Sequence, residues 1–98
     1  MAGSKRDTAL YVVAYDISDD RRRTRVHKTL SGFGKWTQYS LFECHLTPKQ
    51  LLQLEARLER HLKPEEDSIR FYYICEKCVA KAKTVGGAPP QEEKLFLV

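Results

Sequence analysis

A chain of 98 residues with 42% apolar and 31% charged side chains has the composition of one folded domain, and excludes two domains, a fibre or a disordered segment. Its formal net charge of +4 favours a polyanionic partner, without separating nucleic acid from an anionic membrane surface. No apolar run approaches the roughly 18 to 20 residues that span a bilayer, and the opening "MAGSKRDTA" is too polar for the centre of a secretory signal, so a cytoplasmic protein without a membrane partner is expected.

Residues 1–8 read as a disordered tail. "ALYVVAYDIS", Ala9 to Ser18, is apolar on both alternating faces and rich in Val and Tyr, the pattern of a central strand covered on both sides. Ser18 or Asp19 can then cap a helix that runs to about Gly34 and carries Val26, Leu30 and Phe33 as an apolar stripe. "WTQYSLFECHL", Trp36 to Leu46, is extended in character; without Asn-Gly or Asp-Gly it reads as one continuous strand with a bulge rather than a hairpin. Thr47-Pro48-Lys49-Gln50 combines an N-cap, a Pro at the first helical position and a capping box, and Leu51, Leu54, Leu58 and Leu62 line the helix that follows, up to Pro64.

"DSIRFYYIC", Asp67 to Cys75, is a further strand, and "EKCVAKAKTV" after it is basic and helix-prone or irregular. Residues 86–93, "GGAPPQEE", form a linker that closes the domain of residues 9–85, and "KLFLV", residues 94–98, is a terminal strand that needs a sheet to join, its own or a neighbour's. The outline is a ferredoxin-like α/β (α+β) sandwich with both helices on one sheet face, and a dimer built sheet on sheet would cover the other.

Three cysteines, an odd number in a chain without an export signal, argue against a disulfide framework. Cys75 and Cys78 have zinc-knuckle spacing but no second ligand pair, and Cys44 and His45 are adjacent on a strand and face opposite ways; thiols without a metal are the simpler reading.

The chemistry concentrates in "VAYDISDDRRRTRV", Val13 to Val26. Asp19 and Asp20 suit a helix start, where the dipole favours negative charge. Asp16 precedes the cap, between Tyr15 and Ile17, and needs a cation, an arginine or amide donors. Arg21, Arg22 and Arg23 occupy first-turn positions that the dipole disfavours by about 0.3 to 1 kcal/mol each. Two readings stand side by side: local pairing with Asp19 and Asp20, or phosphate binding, with Arg22 and Arg23 near Asp16 and Arg21, Arg25 and Lys28 along the solvent side following a nucleic-acid backbone. One Asp per chain is too few for hydrolytic metal chemistry, and a two-fold axis near Asp16 would supply the second carboxylate.

"YVVAYDISDDRRRTRVHKTLSGFGKWTQYSLFECHL" resembles the second CRISPR-associated protein family, the small adaptation protein that accompanies the CRISPR integrase. The resemblance rests on Tyr15-Asp16-Ile17, on Arg23 and Arg25 followed by Val26 and Leu30, on the glycine after the helix and on Gln38 to Glu43. It implies a homodimer whose terminal strand joins the other subunit's sheet, and one Mg2+ shared by Asp16 of the two subunits as metal ligand and catalytic residue, with Tyr15 and Phe42 in support. It implies further a metal-dependent endonuclease of RNA or double-stranded DNA, and a scaffold that holds DNA for the CRISPR integrase. The family often carries a basic residue where Trp36 stands, with Lys35 beside it as a substitute, and the CxxC is no part of its pattern. The alternatives are a toxin-type ribonuclease of the virulence-associated protein D kind, or a purely structural dimer without catalysis.

Overall fold

The two-sided apolar run becomes β1 (Ala9–Asp16), an interior strand of a four-stranded sheet in the computed structural model, which describes residues 7–87. The terminal strand at 94–98, most of the linker and most of the N-terminal tail lie outside the described residues. After β1 come α1 (Asp20–Ser31), β2 (Lys35–Gln38), β3 (Leu41–Leu46), α2 (Pro48–Glu59), β4 (Ser68–Ile74) and the short α3 (Glu76–Ala80). The sheet order is β2-β3-β1-β4 with every neighbouring pair antiparallel, which is the expected ferredoxin-like α+β topology. Among the described residues no helix is long and apolar enough to cross a membrane.

Helix α1 starts where the sequence places it. Asp19 is the N-cap, and its Oδ2 accepts the Arg22 amide at 2.9 Å. Helix α2 starts on the capping box: the Gln50 amide donates to Thr47 Oγ1 at 3.1 Å, and the Thr47 amide donates to Gln50 Oε1 at 2.8 Å. Both helices bury their stripes against one sheet face, where Val26, Leu30, Leu54 and Leu58 meet Val13, Tyr15, Phe42, Cys44 and Leu46. Alternation then leaves Leu10, Val12, Ala14 and Asp16 of β1 on the opposite face, beside Leu41, Glu43 and His45 of β3 and Ser68, Arg70 and Tyr72 of β4.

Residues 36–46 are a hairpin and not the continuous strand expected from the sequence. Tyr39 and Ser40 form the turn, with Tyr39 at φ 47°, a left-handed conformation that a side chain other than glycine rarely adopts. Local hydrogen bonds hold it in place of the missing Asn-Gly: Trp36 Nε1 donates to the Tyr39 carbonyl at 2.7 Å, and Thr37 Oγ1 to the Leu41 carbonyl at 3.2 Å. The bulge does exist, between Trp36 and Gln38, but it lies inside the β2–β3 ladder.

Gly34 has a task that a helix stop does not describe. A Cβ there would run into Cys44 Sγ and the Glu43 carbonyl, so the chain leaves α1 in backbone contact with β3. Gly34→Ala is therefore expected to lower stability by about 1–3 kcal/mol, the usual range for overpacking, whereas Gly32→Ala, whose Cβ would meet only the Thr29 carbonyl at 3.4 Å, stays near wild type in the same urea titration.

Candidate functional site

Asp16 is the last residue of β1, exposed, on the sheet face away from the helices, with Ser68 of β4 as its cross-strand partner. Its carboxylate accepts no hydrogen bond and forms no ion pair among the described residues. Arg70 of β4 lies two residues along the same face. Arg70 is shifted up from the ordinary guanidinium value, first by its side-chain hydrogen bond with Tyr72 and, less, by the negative charge of Asp16. Sequence reasoning passed over Arg70; the alternation of Ser68, Arg70 and Tyr72 was the available signal, but it becomes useful only once the β1–β4 register is known.

Arg23 fixes the loop that follows Asp16. Its Nη1 donates to the Ile17 carbonyl at 2.9 Å and the Ser18 carbonyl at 3.2 Å, and its Nη2 pairs with Asp20. A guanidinium that caps two consecutive carbonyls satisfies backbone groups a sharp strand-to-helix turn would leave open. Arg23 thus acts as a positioning residue for the loop that follows Asp16.

Arg22 is engaged by carboxylates within the chain, at Asp67 and Glu66 and not at Asp20. Its Nε donates to Asp67 Oδ2 at 2.7 Å and its Nη2 to Asp67 Oδ1 at 3.3 Å and Glu66 Oε1 at 2.9 Å, which commits the fork to two carboxylates of the loop before β4. The Asp67 side chain is fully buried, and the Lys63 amide also donates to its Oδ2 at 2.9 Å. The Arg22 hydrogen bond, then the Lys63 amide, hold its carboxyl below the usual carboxylate range. Arg22 therefore ties the start of α1 to the start of β4, the two segments that flank Asp16.

Arg21, Arg25 and Lys28 stand exposed at spacings of four and three along the outside of α1. Arg21 helps hold the Asp19 carboxyl below its ordinary value, after the larger effects of the Arg22 amide and guanidinium, whereas Arg25 and Lys28 form no ion pair among the described residues. Tyr15 and Phe42 lie under the site, on the helix side of the sheet. Phe42 is fully buried with its ring centroid 6.3 Å from that of Tyr15 and 5.0 Å from that of His27, and the Tyr15 hydroxyl hydrogen-bonds His27 Nδ1 at 3.1 Å. Burial pushes the Tyr15 hydroxyl up, against the lowering effect of the Arg23 charge.

A hard oxygen ligand at the end of a strand suits magnesium, which is commonly held by one or two carboxylates with waters and phosphate oxygens. Among the described residues no three His, Cys, Asp or Glu side chains gather into a metal-binding group. Asp16 can therefore offer one carboxylate, and no further acid of the described residues gathers with it into a three-ligand group.

The Arg22–Asp67 tie gives a pH signature. Because Asp67 titrates lower folded than unfolded, its stabilising effect is complete above the unfolded carboxylate value of about 3.9 and is lost as pH falls through the folded value. Asp67→Asn is expected to lower the thermal midpoint by several degrees at pH 7. The gap to wild type should narrow as pH is taken below about 4 in a thermal denaturation series.

The family model described as "CRISPR associated protein Cas2" matches residues 9–82. A relative from Synechocystis sp., named CRISPR-associated endoribonuclease Cas2 1, is 40% identical over 89 residues, covering 87% of this chain and 93% of that protein. Among solved structures, a hypothetical protein from Thermus thermophilus superposes with a TM-score of 0.73 at 36% identity, over 86% of this chain and 96% of that one. A Cas2 from Streptococcus pyogenes does so with a TM-score of 0.70 at 29% identity, over 79% and 99%. A match over three-quarters of the chain, carrying β1, Asp16 and the whole sheet with it, makes this chain a member of the Cas2 family of CRISPR-associated proteins.

Proposed function

We propose that the chain acts in CRISPR adaptation as a homodimer, joined through the sheet face that the helices leave uncovered. In that dimer Asp16 of each subunit contributes a carboxylate to one Mg2+, and the assembly cleaves RNA or double-stranded DNA while serving the CRISPR integrase as a scaffold. The observation that carries the reading is the state of Asp16: exposed, without a hydrogen-bond partner among the described residues, beside Arg70, on the face a second copy would meet. Two further features support a covered face. Leu10, Val12, Ala14 and Leu41 are only half-buried there, and the buried Nε2 of His45 has no hydrogen-bond partner among the described residues. The name of the Synechocystis relative supports the endoribonuclease class.

Bound at Asp16, magnesium supplies Lewis acidity toward a phosphodiester and lowers the pKa of a coordinated water. The chain's own residues do the rest. Asp16 provides the anionic oxygens and holds them at a strand end whose loop Arg23 fixes through the Ile17 and Ser18 carbonyls. Arg70 presents a permanent positive charge on the same face, suited to a phosphate oxygen. The outer row of Arg21, Arg25 and Lys28 contacts the backbone of the nucleic acid without reading its sequence.

That outer row favours the scaffold role on its own account, because Arg25 and Lys28 are exposed and form no ion pair among the described residues. If about six phosphates are contacted per dimer, log affinity should fall with log salt at a slope near −5. Charge reversal at Arg25 and Lys28 should flatten that slope by about 4, allowing for two subunits, and leave folding intact. A slope unchanged by the reversal would remove this surface from the interface.

The catalytic part is tested by incubating wild-type and Asp16→Asn protein with labelled RNA and DNA, with and without magnesium. The expected outcome is metal-dependent cleavage by wild type only, with the dimer and the salt slope retained in the variant. Cleavage that persists in purified Asp16→Asn rejects the metal role; cleavage absent from both proteins, with binding intact, leaves the scaffold role alone.

A further inference from the structure

Cys75 and Cys78 take no part in the site at Asp16. Cys75 directly follows β4 and is the N-cap of α3, and Cys78 stands one turn on, with the two Sγ atoms 3.4 Å apart. Both are free thiols; Cys75 is half-buried and Cys78 exposed. An S–S bond measures about 2.05 Å, so closing the pair needs a movement of little more than an ångström between side chains on one turn. The backbone is already shaped for it, since the Cys78 amide donates to the Cys75 carbonyl at 3.0 Å and the Val79 amide to the same oxygen at 2.9 Å.

We propose that Cys75 and Cys78 form a dithiol–disulfide couple, an oxidation site that reacts with small-molecule disulfides, with Cys75 as the attacking sulfur. The two thiols differ in environment in the sense this requires. The neighbouring Cys78 amide, first, and the Cys78 thiol hold the Cys75 pKa below the ordinary thiol value, while the contact with Cys75 and its negative charge push Cys78 up. The thiolate is the nucleophile, so attack begins at Cys75.

The chemistry closes without any group the chain lacks except the disulfide itself. The Cys75 thiolate attacks one sulfur of RSSR; that S–S bond breaks, a mixed disulfide forms at Cys75, and RS⁻ leaves and takes up a proton from water. Cys78, having given its proton to solvent, then attacks the Cys75 sulfur, forms the intramolecular bond and expels the second RS⁻. Two electrons pass from the protein to RSSR, which becomes two RSH. A metal is the competing use of a CxxC, but among the described residues no third His, Cys, Asp or Glu side chain joins the pair.

The third cysteine is an internal control. Cys44 is fully buried against the helices, and burial, with the Glu43 charge, pushes its thiol up to about 12, so it should stay reduced throughout.

The test equilibrates the full chain in glutathione buffers of increasing oxidised fraction, quenches with an alkylating agent and maps the thiols by mass spectrometry. The expected result is loss of alkylation at Cys75 and Cys78 together, an intramolecular link between them, and unchanged Cys44. Cys78→Ser should trap glutathione on Cys75, and Cys75→Ser should react about tenfold more slowly. Both positions reach solvent, so circular dichroism should report folded variants. Thiols that stay alkylatable under full oxidation, links between chains in place of the internal one, faster reaction at Cys78, or zinc that co-purifies with the chain and blocks alkylation would each overturn the proposal.

Discussion

The carboxylate of Asp67 takes three protein donors at once: Arg22 Nε, Arg22 Nη2 and the Lys63 amide. On this cluster depends the relative placing of two segments far apart in the chain, the start of α1 and the loop that delivers β4. A buried carboxylate is tolerable only when its lone pairs are filled by donors, and this one is filled by a guanidinium from one element and a backbone amide from the other. Removing either partner strands the other, so the contact works as a single unit. Since Ser68 follows Asp67 and pairs directly with Asp16, the clamp fixes the strand beside the candidate site, just as Arg23 fixes the loop after it.

The sheet divides its two faces between a packed core and the candidate site. On the helix side, Tyr15 and Phe42 are packed with Val26 and Leu30, and the Tyr15 hydroxyl meets His27. On the other side the same strand presents Asp16, one residue after Tyr15. Period-two alternation puts a core anchor and an exposed carboxylate on consecutive residues, so the rigidity of one is passed to the other through a single peptide unit. That is a reason for a functional acid to sit at a strand end and not within a loop.

Much of this was legible in the sequence where the signal is local. The caps at Asp19 and Thr47, the apolar stripes, the central strand and its end at Asp16 all follow from side chains acting within one turn or one pleat, whereas the partner expected for Asp16 is not found among the described residues. The hairpin at Tyr39 was not legible, because the cost of a left-handed tyrosine is offset by hydrogen bonds from Trp36 and Thr37 that no turn motif announces. Gly34 reads as a helix stop, and only the packing of the chain against β3 shows that a close approach demands it. Arg70 needed the β4 register before its place beside Asp16 meant anything.

The arginine run shows the limit most clearly. On a helical wheel Arg21, Arg22 and Arg23 are three similar charges in a place the dipole disfavours, and composition offers them equally to phosphate. The fold separates them by what lies within reach: Arg22 finds Asp67, 45 residues away, Arg23 finds the carbonyls of Ile17 and Ser18, and Arg21 is left at the surface near Asp19. Cations already bonded to carboxylates or carbonyls would have to give up those bonds to take a phosphate, while Arg25 and Lys28 would give up only water. Within α1, the positive charge available to a polyanion is therefore smaller than the sequence suggests and lies farther along the helix, on its outer side. The two proposed roles, metal chemistry at the strand end and backbone binding along the helix, accordingly rest on different residues, and losing the first would leave the second in place.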